Sequence, residues 1–364
     1  MFARRFLPPF LVVLAAGVLS LPAVTPAAAR ATASSVTVVA SNLNSPRGLV
    51  WAGEGGFLLA EAGKGGSGPC GPGPLGTMCV GRSGAVTRIQ EGTPTRLVHL
   101  PSIALPDGSF AFGTHDVGST DEGGIFAVIG LAGSPETRKQ WGPKGALLGH
   151  LVRVTRDGGV RAIADLAAYE ASHNPAGGPV ESDPFGLLVR EESIIVADAG
   201  ANDLLRVGHE GRISTVAVFP DRNVQFQGQT LEMDAVPTSV VRGPDGAYYV
   251  GQLTGFPYPV GGARVYRVVP GHKPTIFARG FTNIIDIAFD GRGNLYVLEI
   301  AHNSLRASQP YGALIRVSPN GERTVLLDQG LSFPTSVVVR SPHRIYLTNC
   351  GVCPGGGEVL RLDI

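Results

Sequence analysis

From residue 35 onward the chain is built of short apolar runs, five or six residues each, broken by Gly, Pro, Asp and Asn and grouped in sets of four. The clearest set holds Thr238 to Arg242, Ala247 to Gln252, Ala263 to Val268 and Thr275 to Arg279, all rich in β-branched or aromatic residues. Gly243-Pro-Asp-Gly246 separates its first two runs, and glycine supplies the positive φ that tight hairpins demand, so the pattern predicts neighbouring antiparallel strands. Asp290-Gly-Arg-Gly-Asn294 holds the same place in the next set, while Asp157-Gly158, Glu210-Gly211 and Asn320-Gly321 mark the turn between third and fourth runs elsewhere. Each set is predicted to be one four-stranded antiparallel unit.

The units align. Pro46-Arg-Gly-Leu, Thr114-His-Asp-Val, Pro184-Phe-Gly-Leu, Pro237-Thr-Ser-Val, Ile284-Ile-Asp-Ile and Pro334-Thr-Ser-Val come into register, with starts at 46, 114, 184, 237, 284 and 334. Six units of this size, each with four strands, predict an all-β, six-bladed β-propeller. The third strand carries Arg88-Ile, Arg153-Val, Arg206-Val, Arg267-Val, Arg316-Val and Arg361-Leu at one position, which reads as a side chain covering the blade with its stem. The sixth unit stops after its third strand, Glu358 to Leu362, and Ser35 to Leu43 resembles the fourth strands elsewhere. The N-terminal strand is therefore expected to complete the last blade and remove its open edge.

Residues 1–31 follow a different pattern: Arg4 and Arg5, a mostly apolar run from Phe6 to Val24, then Ala27-Ala-Ala29 and Ala29-Arg-Ala31. This is the layout of a secretory signal peptide with an A-x-A cleavage site, and Pro8, Pro9 and Pro22 argue against a membrane anchor. The expected product is a single propeller domain, 32–364, secreted or extracytoplasmic, monomeric, and without a membrane span once the signal is cleaved. A formal net charge of +1 with 16% charged residues gives no basic stripe, which argues against a nucleic-acid partner and leaves a small molecule or a protein.

In a propeller the connections from fourth to first strand and from second to third gather on one face, and the long insertions of this chain fall there. Loops on a rigid scaffold are where binding groups tend to be placed, so that face is expected to carry function. Its inner ring, at the start of each first strand, reads Arg47, His115, Phe185, Thr238, Ile285, Thr335, followed by Gly48, Asp116, Gly186, Ser239, Asp286, Ser336. The outer ring, at the end of each second strand, reads Glu61, Ile129, Asp198, Gln252, Glu299, Asn349. Glu61, Asp198, Asn283, Glu299 and Asn349 are candidate oxygen ligands for a metal, calcium being the suitable hard cation. The alternative is that they bind backbone N–H groups of adjoining loops. His115, Asp116 and Asp286 are the candidate catalytic groups, with a structural pair anchoring the preceding loop as the alternative for His115-Asp116. Arg47, His115, Trp141, Phe256 and Tyr258 are the candidate ligand-binding residues, and no G-x-S-x-G, H-E-x-x-H or P-loop pattern is present.

Four cysteines in an exported chain predict disulfides: Cys70, Cys79, Cys350 and Cys353. Local pairing is favoured, with cross-blade pairing between the first and sixth units open. Cys350-Gly-Val-Cys353 does not open a helix in a βαβ unit, which argues against thioredoxin-like chemistry.

Read with the repeats, the segments Gly65-Gly-Ser-Gly-Pro-Cys70, Asp107-Gly-Ser-Phe110, His115-Asp-Val117, Asp165-Leu-Ala-Ala-Tyr-Glu170, Asp198-Ala-Gly-Ala-Asn-Asp-Leu-Leu205, Gly251-Gln-Leu-Thr-Gly-Phe-Pro257 and Phe281-Thr-Asn-Ile-Ile-Asp286 make the chain resemble the ScyD/ScyE family, which is related to NHL-type propellers. The resemblance implies an exported propeller and an accessory role in secondary-metabolite biosynthesis, and carries no catalytic residues across. Two readings of function follow: a non-catalytic module binding a small molecule or protein, and a calcium-dependent lactonase or esterase like the more distant gluconolactonase and paraoxonase propellers.

Overall fold

The computed structural model describes residues 29–30, 35–54, 56–155 and 158–364. Apart from Ala29–Arg30, which pairs in parallel with Thr324 and Val325, the expected export signal lies outside the described residues.

Six antiparallel sheets are arranged as a six-bladed propeller among the described residues, each with strands A to D running from the axis outward. Blade one comprises Pro46–Trp51, Phe57–Glu61, Gly76–Gln90 and Thr93–Ala104; blade two Thr114–Ser119, Ile125–Ile129, His150–Val154 and Val160–Asp165. Blade three comprises Pro184–Val189, Ser193–Asp198, Asp203–Gly208 and Ile213–Val218; blade four Pro237–Arg242, Tyr248–Gln252, Ala263–Val268 and Thr275–Phe281. Blade five comprises Ile284–Phe289, Leu295–Glu299, Ala313–Val317 and Arg323–Leu327. Blade six takes Ser336–Ser341, Arg344–Asn349 and Gly357–Asp363 from the end of the chain and Ser35–Leu43 from its beginning, the latter antiparallel to Gly357–Asp363.

Period-two alternation explains how these sheets pack. Strand B is buried on both faces, which is why it reads as a continuous apolar run. In blade one, Phe57 and Leu59 enter the seam with blade six while Leu58 and Ala60 enter the seam with blade two. Blade two repeats this, with Ala127 and Ile129 facing blade one and Phe126 and Val128 facing blade three. The core is thus divided among six seams, and each blade supplies both walls. The strand C arginines sit opposite strand B at Leu58, Phe126, Ile195, Tyr249, Tyr296 and Tyr346, with Arg88, Arg153 and Arg206 exposed.

Insertions extend this frame on the face where strands B end, here called the upper face. Cys70–Gly73 adds a strand to blade one, and Cys70 pairs directly opposite Cys79, to which it is disulfide-bonded. Cys350 and Cys353 form the second disulfide, so pairing is local. A hairpin, Arg222–Phe226 with Gln229–Met233, precedes blade four, and helix α1, Leu166–His173, follows blade two. Among the described residues no helix is long and apolar enough to cross a membrane.

Closure by the N-terminal strand makes a prediction. Leu43 is fully buried in the seam between blades six and one. Leu43→Ala should lower the unfolding free energy by about 2–5 kcal/mol, measured by urea denaturation, whereas shortening the hairpin at 227–228 should leave it nearly unchanged.

Candidate functional site

The upper end of the axis is closed. Arg47 is 8% exposed, and its guanidinium donates to the carbonyls of Gly351 and, at 3.0 Å, Ala111, tying the B-to-C loop of blade six to the connection entering blade two. Burial lowers its pKa to about 10, opposed by the charge of Asp183. His115 packs between Phe112 and Phe185, ring centroids 6.0 and 4.6 Å away. Its Nδ1 lies 3.2 Å from the Pro184 carbonyl and 3.6 Å from Asp183 Oδ1. Burial, then the charge of Arg47, pushes the His115 pKa down to about 3, so the imidazole is neutral and Nδ1–H donates to Pro184. Gly130 makes room for this ring, since a Cβ there would lie 2.1 Å from its Cε1.

Beneath this plug lies a cavity of about 390 Å³ on the axis, lined by strand A of all six blades. It opens on the opposite, lower face. The strand starts Arg47, His115, Thr238, Ile285 and Thr335 are buried, whereas Val50, Trp51 and Phe289 are half-buried and Arg242 and Arg340 exposed at the strand ends. The sequence directs attention to the upper face because the long loops gather there, but the side chains of Arg47 and His115 seal the axis on that side.

Strand A has no neighbour on its axial side, so its backbone donors need partners from side chains. Asp116 supplies two of them, accepting from Val117 N and Leu187 N, each at 2.8 Å. Asp286 accepts from Ile287 N at 2.8 Å, Val337 N at 2.9 Å and Ser336 Oγ at 2.8 Å. Ser336 Oγ accepts in turn from Leu49 N at 3.1 Å. Together these form a belt around the well that serves blades one, two, three, five and six. Gly48 completes it by absence of a side chain, because a Cβ there would meet Asp116 Oδ1 at 1.9 Å. Burial pushes Asp116 up to about 8 against its Leu187 donor, with the Asp286 charge adding to the rise, and burial raises Asp286 to about 6.

The outer ring is also occupied by backbone. Every member is the last residue of its strand B. Glu61 accepts from Asn44 N at 2.6 Å, from Thr87 and from Arg96; Asp198 from Asp183 N at 2.6 Å; Glu299 from Thr282 N at 2.6 Å and from His302; and Asn349 from Ser332 N at 2.9 Å. Each of these backbone donors lies in the connection entering the same blade, one or two residues before its strand A or close to it. Asn283 bridges two loops, donating to Leu253 O at 2.9 Å and accepting from Leu305 N at 3.0 Å. Gln252 receives a contact of 3.4 Å from Arg222. Among the described residues no three His, Cys, Asp or Glu side chains converge as a metal-ligand set.

The candidate aromatic residues separate. Trp141 is 1% exposed in the seam between blades one and two. Phe256 is half exposed and meets Phe226 of the hairpin edge-on at 5.3 Å and Tyr258 at 6.2 Å, with Arg306 4.3 Å over the Phe226 ring.

Comparison with known proteins finds fold-level likeness. No protein-family profile and no curated protein sequence matches the chain. Among solved structures it is similar to virginiamycin B lyase from Staphylococcus aureus, at 12% identity, covering 91% of this chain and 99% of that one with a TM-score of 0.51. A gluconolactonase-like protein gives 10% identity, coverage of 90% and 91%, and a TM-score of 0.51. A glucose dehydrogenase gives 15%, 91% and 99%, and 0.51. These likenesses establish the propeller. They span different chemistries at low identity, so the neighbours' activities do not transfer to this chain.

Asp183 is the site residue that the sequence reading passed over. It joins both rings, accepting from Leu131 N and Ala132 N at 3.0 and 3.2 Å while facing His115. Its pKa is raised to about 8, by burial first and then the charge of Asp198. The visible signal is its place directly before Pro184 at a strand start, opposite a glycine that leaves space for its carboxylate.

The raised carboxyls predict a pH response. Asp116 and Asp183 bind their protons more tightly when folded than when unfolded, so the stability they contribute is complete below about pH 4 and lost as pH rises through about 8. Urea midpoints should therefore fall between pH 7 and 8.5, above the ordinary imidazole range, and Asp116→Asn should flatten that slope; equal midpoints would contradict the assignment. Gly48→Ala should independently cost about 1–3 kcal/mol by forcing the Asp116 carboxylate aside.

Proposed function

We propose that the protein is a non-catalytic, extracytoplasmic binding propeller whose ligand is a small molecule held in the axial well. The observation that carries this reading is the well itself. Its volume of about 390 Å³ falls within the range of small-molecule sites. Its lining combines aliphatic side chains such as Leu188 and Val241 with the polar belt of Asp116, Asp286 and Ser336, and its rim carries Trp51, Phe289, Arg242 and Arg340. The Arg340 guanidinium lies 4.0 Å over the Trp51 ring. An apolar body with an acidic head suits this arrangement, the body displacing water from the aliphatic part of the lining and the head meeting the two arginines at the rim.

Several features favour binding over turnover. Asp116 and Asp286 already hold backbone N–H groups, and His115 is neutral and walled in by Phe112 and Phe185. The extracytoplasmic setting rests on the signal-like N-terminus and the two disulfides, which persist in oxidising compartments.

The test uses anilinonaphthalene sulfonate, an aromatic body with an anionic head. Saturable binding at one probe per chain is expected, accompanied by a change in Trp51 emission that Trp51→Phe removes. Arg242→Ala with Arg340→Ala should weaken binding at least about tenfold, an expected loss of two charge-assisted contacts, and Ala288→Trp should block it by filling the well. Absence of saturable binding, or binding indifferent to all these substitutions, would overturn the proposal. Hydrolysis of a lactone or ester panel by the same preparation would overturn its non-catalytic part.

A further inference from the structure

In blade three, away from both the well and the plug, several carboxyl and amide oxygens are buried without any donor. They are both Oδ atoms of Asp203, Oε2 of Glu170 and Oδ1 of Asn174. Asp203 is 0% exposed and Glu170 2% exposed. Among the described residues neither forms an ion pair with a Lys, Arg or His.

Two elements supply the two carboxyls, and the Glu170 charge lies near enough to Asp203 to act on it. Asp203 opens strand C of blade three, directly opposite Asp198 in the ladder. Glu170 projects from α1, which Asp165 caps by accepting from Ala168 N at 3.0 Å. Leu166 anchors that helix in the seam between blades two and three, and Tyr169 Oη lies 3.0 Å from Thr215 Oγ1 on strand D of blade three. Residues 166 and 170 recur at helical spacing, so Glu170 follows Leu166 on the face turned to the blade. Asn174 ends the helix in a left-handed conformation, φ 38°, with its N–H 2.8 Å from Glu170 O.

The contrast with Asp198 next door is informative. That carboxylate takes four donors: Ser182 Oγ, Asp183 N, Gly200 N and Ala201 N. Asp203 and Glu170 have comparable burial and nothing equivalent. A buried carboxylate without donors must gain either a proton or a counter-cation, because burial alone opposes its charge. Burial and the neighbouring acidic charges push Glu170 to about 7 and Asp203 well above the carboxylate range, which describes the pair with no cation beside it.

We propose that Asp203 and Glu170 form a buried site for a hard divalent cation of the calcium type. All the unpartnered atoms are oxygens, which selects calcium over zinc or copper. Two carboxylates neutralise the charge of a divalent ion. Calcium takes six to eight oxygens and accepts backbone carbonyls and water among them, so it does not require a third carboxylate. The role is structural: the ion fastens α1 to blade three. The site adjoins Asp198 of the outer ring but does not use that ring's oxygens, which hold backbone donors, and it stands independently of the ligand proposed for the well.

The experiment compares mature protein stripped with EDTA and then titrated with calcium, following melting temperature and, by native mass spectrometry, bound mass. The expected result is one calcium per chain and a rise of about 5 °C or more at a hundredfold excess over Kd. Asp203→Asn with Glu170→Gln should abolish both the added mass and the shift while keeping the β-sheet circular dichroism, and Glu299→Gln in the outer ring should keep both. No calcium-dependent shift in the wild-type chain, accompanied by a higher melting temperature for Asp203→Asn, would overturn the proposal in favour of a shared proton. A shift that survives in the double variant and disappears in Glu299→Gln would overturn it in favour of the outer ring.

Discussion

The constraint on which this structure depends is the axial edge of strand A. A β-strand needs hydrogen bonds on both sides, yet in a closed ring of blades the innermost strand has a neighbour on one side only. Here the missing partner is a belt of two carboxylates and a serine, Asp116, Asp286 and Ser336, each reaching from its own blade to the next. The belt explains several choices that otherwise look unrelated: the glycine at 48, the carboxylates on opposite blades, and the small residues between them. It also sets the bore of the well, since side chains that serve the backbone lie along the wall.

A second level of order comes from the seams. Because strand B alternates its side chains between two neighbouring blades, no blade has a core of its own. Each is stabilised by the next, and the ring becomes cooperative only when the seam between blades six and one is filled by Ala40, Leu43 and Val359. That dependence links the belt to the closure, because the Ser336 hydroxyl oxygen in blade six accepts from the backbone N–H of Leu49 in blade one across the same seam.

Much of this was legible in the sequence. The four strands of each unit and the completing N-terminal strand follow from short-range turn chemistry and strict alternation, which act within a few residues, whereas the cysteine spacing favoured local pairs and left cross-blade pairing open. The terminal positions of strand B were readable for the same reason. The chemistry of the axis was less so. A sequence places Asp116 and Asp286 at one position of the repeat, but whether they face solvent, a metal or backbone depends on neighbours 50 to 70 residues away. Arg47 looked like a ligand-facing residue and instead donates to the flanking connections at residues 111 and 351. Trp141 sat in a long loop and gave no sign of being drawn into a seam. Asp203 was hidden differently: an acidic residue in an Asn-Asp turn has an ordinary surface appearance, and only the helix laid over it by residues 166–173 makes it unusual.

The closing strand has a consequence for the order of events in time. Ser35–Leu43 pairs with Gly357–Asp363, which is synthesised after all the other strands of the six blades. Ser35–Leu43 therefore waits through the synthesis of five and a half blades without its partner, and Val36 and Val38 stay exposed even in the closed ring, features that invite wrong pairing with other chains. A propeller latched in this way cannot mature blade by blade to completion as it emerges. It stays an open chain of partly finished sheets until its two ends meet, and the interval before that meeting is when it most needs protection from its own copies.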